Sequence, residues 1–300
     1  LKQKNIRLTA TYKPAPDWNP VFDSVNSSSY GYSFPQNVRG LLFRFHGTGG
    51  SGASFFDKSE DRIAANDFVA AGFAVVSLDS ANRVDKQWST AQPPNNPDLA
   101  NIQAVINSFV SRGLITSATP IFTLGMSNGG AFSPRAAYFL SVSGANIKGA
   151  AVYCAQGNTF AAQSNVPTTW NIAQYDGNIG ASGNQAALTA FQTVFGRGIA
   201  AQYNVNVPSP LYVQRFTRIS GLTVNDSQII YNSLKNNGFL DGNDYLIQDP
   251  GTSNWQSVIP TVYSSYRGDI ADQLSACYAA HQFFGDYNNR VISFFNAQIP

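Results

Sequence analysis

The stretch Gly125-Met126-Ser127-Asn128-Gly129 constrains this chain more than any other. It follows the apolar run Pro120 to Leu124 and precedes the mostly small residues Gly130 to Ala137. Strand, sharp turn and helix in that order put Ser127 on a tight turn at a sheet edge, in the G-x-S-x-G pattern of a nucleophile elbow. The flanking glycines leave room for a backbone too strained for ordinary packing. Asn128 then opens a helix, so its N–H points toward negative charge developing beside the serine.

The rest of the chain alternates strands with helices. Residues 5–12 alternate like an edge strand, and residues 13–38, rich in serine with four prolines, read as a long surface excursion. Gly40 to Phe45 reads as a buried strand that ends at His46-Gly47-Thr48-Gly49-Gly50. A helix is expected from Asp57 to Ala71, stopped by Gly72, then a strand from Phe73 to Leu78. Asn96 caps the next helix, Pro97 suits its first position, and Leu99, Ile102, Ile106 and Phe109 share one face. The helix after the elbow runs to about Leu140, with a kink or 3₁₀ turn expected at Pro134. Strands at 148–154 and 168–174 follow, then helices near 185–195, 227–236 and 286–295. This alternation predicts an α/β fold, a mostly parallel central sheet with helices on both faces. Residues 1–300 are expected to form one domain, with an insertion at about 200–265 beside the site.

Composition excludes several classes. Charged residues are 12% of the chain, against a usual share of about 25%. The net charge is +2 without a basic run, which argues against a nucleic-acid partner. No apolar stretch approaches the ~18 residues of a membrane span. The chain begins at Leu1, which suggests that an N-terminal segment was removed. Two cysteines, Cys154 and Cys277, suggest one disulfide bracing the segment of His281, and with it a secreted or periplasmic location.

A serine hydroxyl needs a general base, and the chain holds two histidines. In the order serine, acid, histidine, His281 is the base, while His46 shapes the glycine-rich turn. Residues 151–175 contain no acidic side chain, so Asp176 is the first carboxylate after the elbow. It can accept from the imidazole N–H and fix its tautomer, ahead of the weaker rivals Asp79, Asp269 and Asp286. The backbone N–H groups of Thr48 and Asn128 are candidates for an oxyanion hole. The turn at 46–50 lacks the endings of a phosphate-binding loop. Arg83, Trp88 and Tyr175 are candidate substrate contacts, Trp88 either as an exposed stacking ring or as one buried ring that anchors its loop.

His46 to Gly50, Gly125 to Gly129, Asp176 and His281 together resemble α/β-hydrolases of the secreted esterase group that includes polyhydroxyalkanoate depolymerases and feruloyl or acetyl-xylan esterases. The resemblance implies an eight-stranded core sheet with the site in loops at its C-terminal edge. It also implies cleavage of carboxylic esters, possibly within a polymer, without metal or cofactor. The rival reading is amide cleavage in a polyanion such as poly(aspartic acid), drawn in by Arg83, Lys86, Arg135 or Arg267. A non-catalytic binding module on the same fold is the third.

Overall fold

The computed structural model describes residues 19–299, so the strand expected at 5–12 lies outside the described residues. The excursion expected over 13–38 is corrected from residue 21 onward. Strands β1 (Val21–Val25) and β2 (Ser28–Ser33) form a hairpin closed by Asn26 and Ser27, both at positive φ. Such two-residue turns match the twist of paired strands. The serines hide a real alternation, because Tyr30 and Tyr32 bury their rings against Phe109.

Strand β3 (Gly40–Phe45) leads through α1 (Ser54–Asp57) and α2 (Ser59–Ala70) to β4 (Phe73–Leu78). Helix α3 (Pro97–Ser111) starts as its cap predicts, with Asn96 Oδ1 accepting from Leu99 N. Then come β5 (Ile121–Met126), α4 (Asn128–Val142), β6 (Ile147–Tyr153), α5 (Thr159–Gln163), β7 (Thr168–Ala173) and α6 (Gly180–Gly196). Pro134 lies inside α4 without ending it. β8 (Ala201–Asn206) takes the first residues assigned to the insertion, because a polar, half-buried strand leaves little apolar pattern to read. α7 (Val224–Asn236), α8 (Arg267–Tyr278) and α9 (Asn288–Asn296) complete the order.

The sheet runs β1-β2-β4-β3-β5-β6-β7-β8, antiparallel through β2 and parallel from β4 to β8. Helices cover both faces. Leu41, Phe43 and Phe45 of β3 pack with α3 and α4, while Leu42 on the opposite face packs with α2 and α9. This strand order and helix placement make an α/β-hydrolase fold. Between β8 and α8 the chain builds an apolar cluster of its own around Phe216, Ile230, Leu234 and Trp255, closed by Ile270 and Leu274 of α8. No helix among the described residues is long and apolar enough to cross a membrane.

The expected disulfide is absent. Cys154 and Cys277 are both buried free thiols. Cys277 packs in the apolar cluster of the 207–278 region, whereas Cys154 belongs to the cluster beneath β5 and β6.

Candidate active site

The C-terminal ends of β3, β5 and β7 lie on one edge of the parallel sheet, where loops can converge. Ser127 leaves β5 at φ 57 and ψ −118, a strained conformation for a residue with a side chain. Its N–H donates to Tyr153 O at 2.9 Å, and its carbonyl accepts from Ala131 N at 2.9 Å, so strand and helix hold the turn from both sides. The glycines are sterically required. A Cβ at Gly125 would lie 2.0 Å from Gly129 O, and one at Gly129 would lie 2.1 Å from Phe45 O. The Ser127 hydroxyl forms no hydrogen bond among the described residues and stands open to a pocket of about 500 Å³.

His281 lines the same pocket. It follows α8 through Ala279, whose backbone is left-handed at φ 61 and whose carbonyl accepts from Tyr175 N at 2.8 Å. That bond ties the histidine segment to the turn after β7. His281 Nδ1 lies 2.8 Å from each Asp176 oxygen. Asp176 is buried, and its Oδ1 also accepts from Asn178 N and Ile179 N at 3.0 and 3.1 Å. A carboxylate with these donors holds the imidazole with its proton on Nδ1, leaving Nε2 as the acceptor.

The glycine-rich loop forms the facing wall. A Cβ at Gly47 would lie 3.3 Å from Ser127 Cβ and 3.9 Å from its Oγ, so this backbone passes directly over the serine. Thr48 N–H has no backbone acceptor among the described residues, and Asn128 N–H heads α4, where no intrahelical acceptor exists. His46 fixes the loop from beneath. Its Nδ1–H donates to Gly47 O at 2.7 Å, and its Nε2 accepts from Ser80 N at 3.1 Å. Burial pushes it down to about 4, so it stays neutral and both ring nitrogens are engaged.

The loop after β4 braces this wall, and neither Arg83 nor Trp88 lines the pocket. Trp88 is corrected from a substrate contact to a buried brace, 3% exposed. Its Nε1 donates to His46 O at 2.8 Å, and its ring stacks on Phe132 at 4.8 Å. An apolar slot between Phe45 and Phe132 holds the ring from both sides. Arg83 is likewise committed, to Gly50 O, Ser80 Oγ and the Asp79 carboxylate. Tyr175 is 48% exposed and packs on Tyr278 at 5.3 Å, on the rim and outside the pocket lining. Asn128 has a second contact that sequence did not show: its Oδ1 accepts from Trp88 N at 2.9 Å.

The pocket wall from α1 and α2 was also missed. Phe55, Lys58 and Asp61 line it together with Met126 and Phe283. Behind them Arg44, fully buried in β3, bonds Asp61 at 2.7 Å and lies over the Phe55 ring at 4.3 Å. One arginine in an otherwise apolar strand was the available signal. The histidine segment is anchored by a second buried ionic group. Glu60 accepts from Gly285 N at 2.7 Å and pairs with Arg215 and Arg218, which also hold Asp286. Burial alone would raise Glu60, but the two guanidinium charges outweigh it and hold its carboxyl below the usual range.

No family model and no curated protein matches this chain. Among solved structures it is similar to an acetyl xylan esterase from Aspergillus awamori, at 15% identity and a TM-score of 0.45, over 59% of this chain and 80% of that one. An arylesterase aligns at 13% identity and 0.45, over 72% and 87%. A sugar hydrolase from Lactococcus lactis aligns at 15% and 0.48, over 69% and 90%. None of these likenesses is large enough to say what the chain does.

Proposed function

We propose that this chain is a serine hydrolase that cleaves carboxylic esters through an acyl-enzyme on Ser127. One observation carries the reading: the strained Ser127 opens into the same pocket as an imidazole held at Nδ1 by a buried carboxylate. His281 Nε2 takes the Ser127 proton as Oγ attacks the acyl carbonyl, and Asp176 stabilises the imidazolium. The Thr48 and Asn128 amides receive the oxyanion. The imidazolium then protonates the leaving alcohol, and His281 activates water to release the acid. Phe55, Met126 and Phe283 offer an apolar wall to the acyl group.

Ester cleavage is favoured over amide cleavage in a polyanion because two of the four arginine and lysine candidates are already engaged. Arg83 is held by Asp79, and Arg135 donates to Thr90 O at 2.6 Å and lies over Phe160. A polymeric substrate and a secreted or periplasmic setting rest on sequence alone. The test is turnover of p-nitrophenyl esters of graded chain length, polyhydroxybutyrate and polyaspartate by the wild type and Ser127→Ala. Ester turnover that vanishes in the variant supports the reading. Turnover confined to polyaspartate and suppressed by salt would replace it.

A further inference from the structure

Cys154 directly follows β6, the strand between those carrying the serine and the acid. Its backbone sits at φ 47 and its N–H donates to Asn171 O at 3.0 Å. An L-residue adopts this conformation at a cost, and the side chain it places is fully buried. The Cys154 sulfur, an Asp176 carboxylate oxygen and a ring nitrogen of His281 all lie within 4.8 Å of one another. The thiol also donates to Gln282 O at 3.4 Å, the carbonyl of the residue next to the histidine. Burial first, and then the Asp176 charge, push the thiol well up, so it is a donor and not a thiolate. Asp176 Oδ1 has two amide donors, whereas Oδ2 has only the imidazole among the described hydrogen bonds.

We propose that Cys154 is a positioning residue of the catalytic acid: its S–H is shared between the Asp176 carboxylate and Gln282 O. The thiol thereby links the turn after β7 to the histidine segment and draws charge from the carboxylate. Only its catalytic meaning rests on the hydrolase reading; the hydrogen-bond role stands apart from it. Cys277 sets the contrast, for it is equally buried but packs in the apolar cluster around Phe216.

Removing a donor from a carboxylate leaves its charge more concentrated and strengthens its hold on an imidazolium. The imidazole of a Cys154→Ala variant should therefore protonate at higher pH. Other groups facing this site are few. Lys58 and Asp61 of the α2 wall share the pocket, with Asp61 raised to about 7 by burial beside Arg44. Tyr153 and Arg44 lie beneath Phe283, and His46 faces the site across the pocket.

Histidine ring NMR reads this directly, because the chain has two histidines and His46 stays neutral down to about pH 4. In Cys154→Ala the titration midpoint of the other ring should rise by about half a unit to one unit, equivalent to about three- to tenfold in proton affinity. The acid limb of kcat/KM should move with it. Cys154→Ser, which restores a donor, should return the midpoint to that of the wild type. If the alanine variant fails to fold, Cys154→Gly, suited to the positive φ, carries the same expectation. An unchanged midpoint, or equal shifts in the serine and donor-free variants, would overturn the proposal. The NMR midpoint decides it even if no ester is turned over, so the hydrolase reading can fail separately.

Discussion

Two loops flank Ser127, each carrying one of the chain's two histidines, and they are built for opposite tasks. His46 is 2% exposed, its ring tilted against Trp88, with one ring nitrogen donating and the other accepting within the protein. The His281 side chain is 13% exposed, with one nitrogen held by Asp176 and the other free for the pocket. The anchors differ as well. Trp88, Ser80 and Arg83 clamp the first loop, while the buried Glu60, Arg215 and Arg218, with the exposed Asp286, pin the second through charge pairs. Under the proposed mechanism the same side chain becomes a brace or a base according to how many of its nitrogens the fold consumes.

Replacing each histidine should break this symmetry most visibly. His281→Ala should lower kcat by roughly 10⁵–10⁶-fold with folding intact, as loss of a general base does. His46→Gln, which keeps a donor and an acceptor, should cost no more than about tenfold. Equal losses in ester assays would put both histidines in the chemistry and end the distinction.

The anchors come next. Glu60→Gln removes the charge that two buried arginines face, and should destabilise the fold by about 3–5 kcal/mol in urea unfolding. A variant as stable as the wild type would show that the cluster does not hold the histidine segment.

The pH dependence of stability sharpens the contrast further. His46 protonates at about 4 when folded, against the ordinary histidine value of 6.5 that it regains on unfolding. As pH falls below 6.5 the unfolded chain takes up a proton that the folded chain refuses, so stability is lost until about pH 4. The sign for Asp61 is opposite: raised to about 7, it gains a proton in the folded state first, and stability grows as pH falls toward 3.8. Comparing wild type with His46→Gln cancels Asp61. The stability difference between them should shift against the wild type by about 3 kcal/mol between pH 7 and pH 4. A constant difference would mean that His46 is not held neutral by burial.

Trp88→Phe gives the smallest effect. Losing the Nε1 bond to His46 O should cost about 1 kcal/mol, with KM for small esters within about twofold. A large rise in KM would restore Trp88 as a substrate contact.

The pairing of Asp176 with His281 was legible because each position had so few rivals. One elbow, two histidines and an acid-free stretch up to Asp176 leave little choice, and the structure brings Asp176 and His281 into contact. Apolar strands such as Gly40 to Phe45 were legible because both faces are buried and every residue but Arg44 shows it. The hairpin at 21–33 was not, because its buried tyrosines alternate with serine and glycine in a stretch that composition marks as loop. Trp88 stayed open between an exposed and a buried ring because its burial depends on Phe45 and Phe132, two rings far away in the chain. The cysteines were misjudged because even number and plausible placement do not show that two thiols meet. The α1–α2 wall of the pocket depends on the Arg44–Asp61 pair, a tertiary contact that neither segment announces alone.

The central claim is that Ser127 is a nucleophile activated by His281, and a fluorophosphonate probe tests it most directly. Intact-mass analysis should show one adduct per chain, mapped by peptide digestion to Ser127. The adduct should be absent in Ser127→Ala and slowed by orders of magnitude in His281→Ala. An unlabelled wild type, or an adduct on another residue that survives Ser127→Ala, would contradict the account.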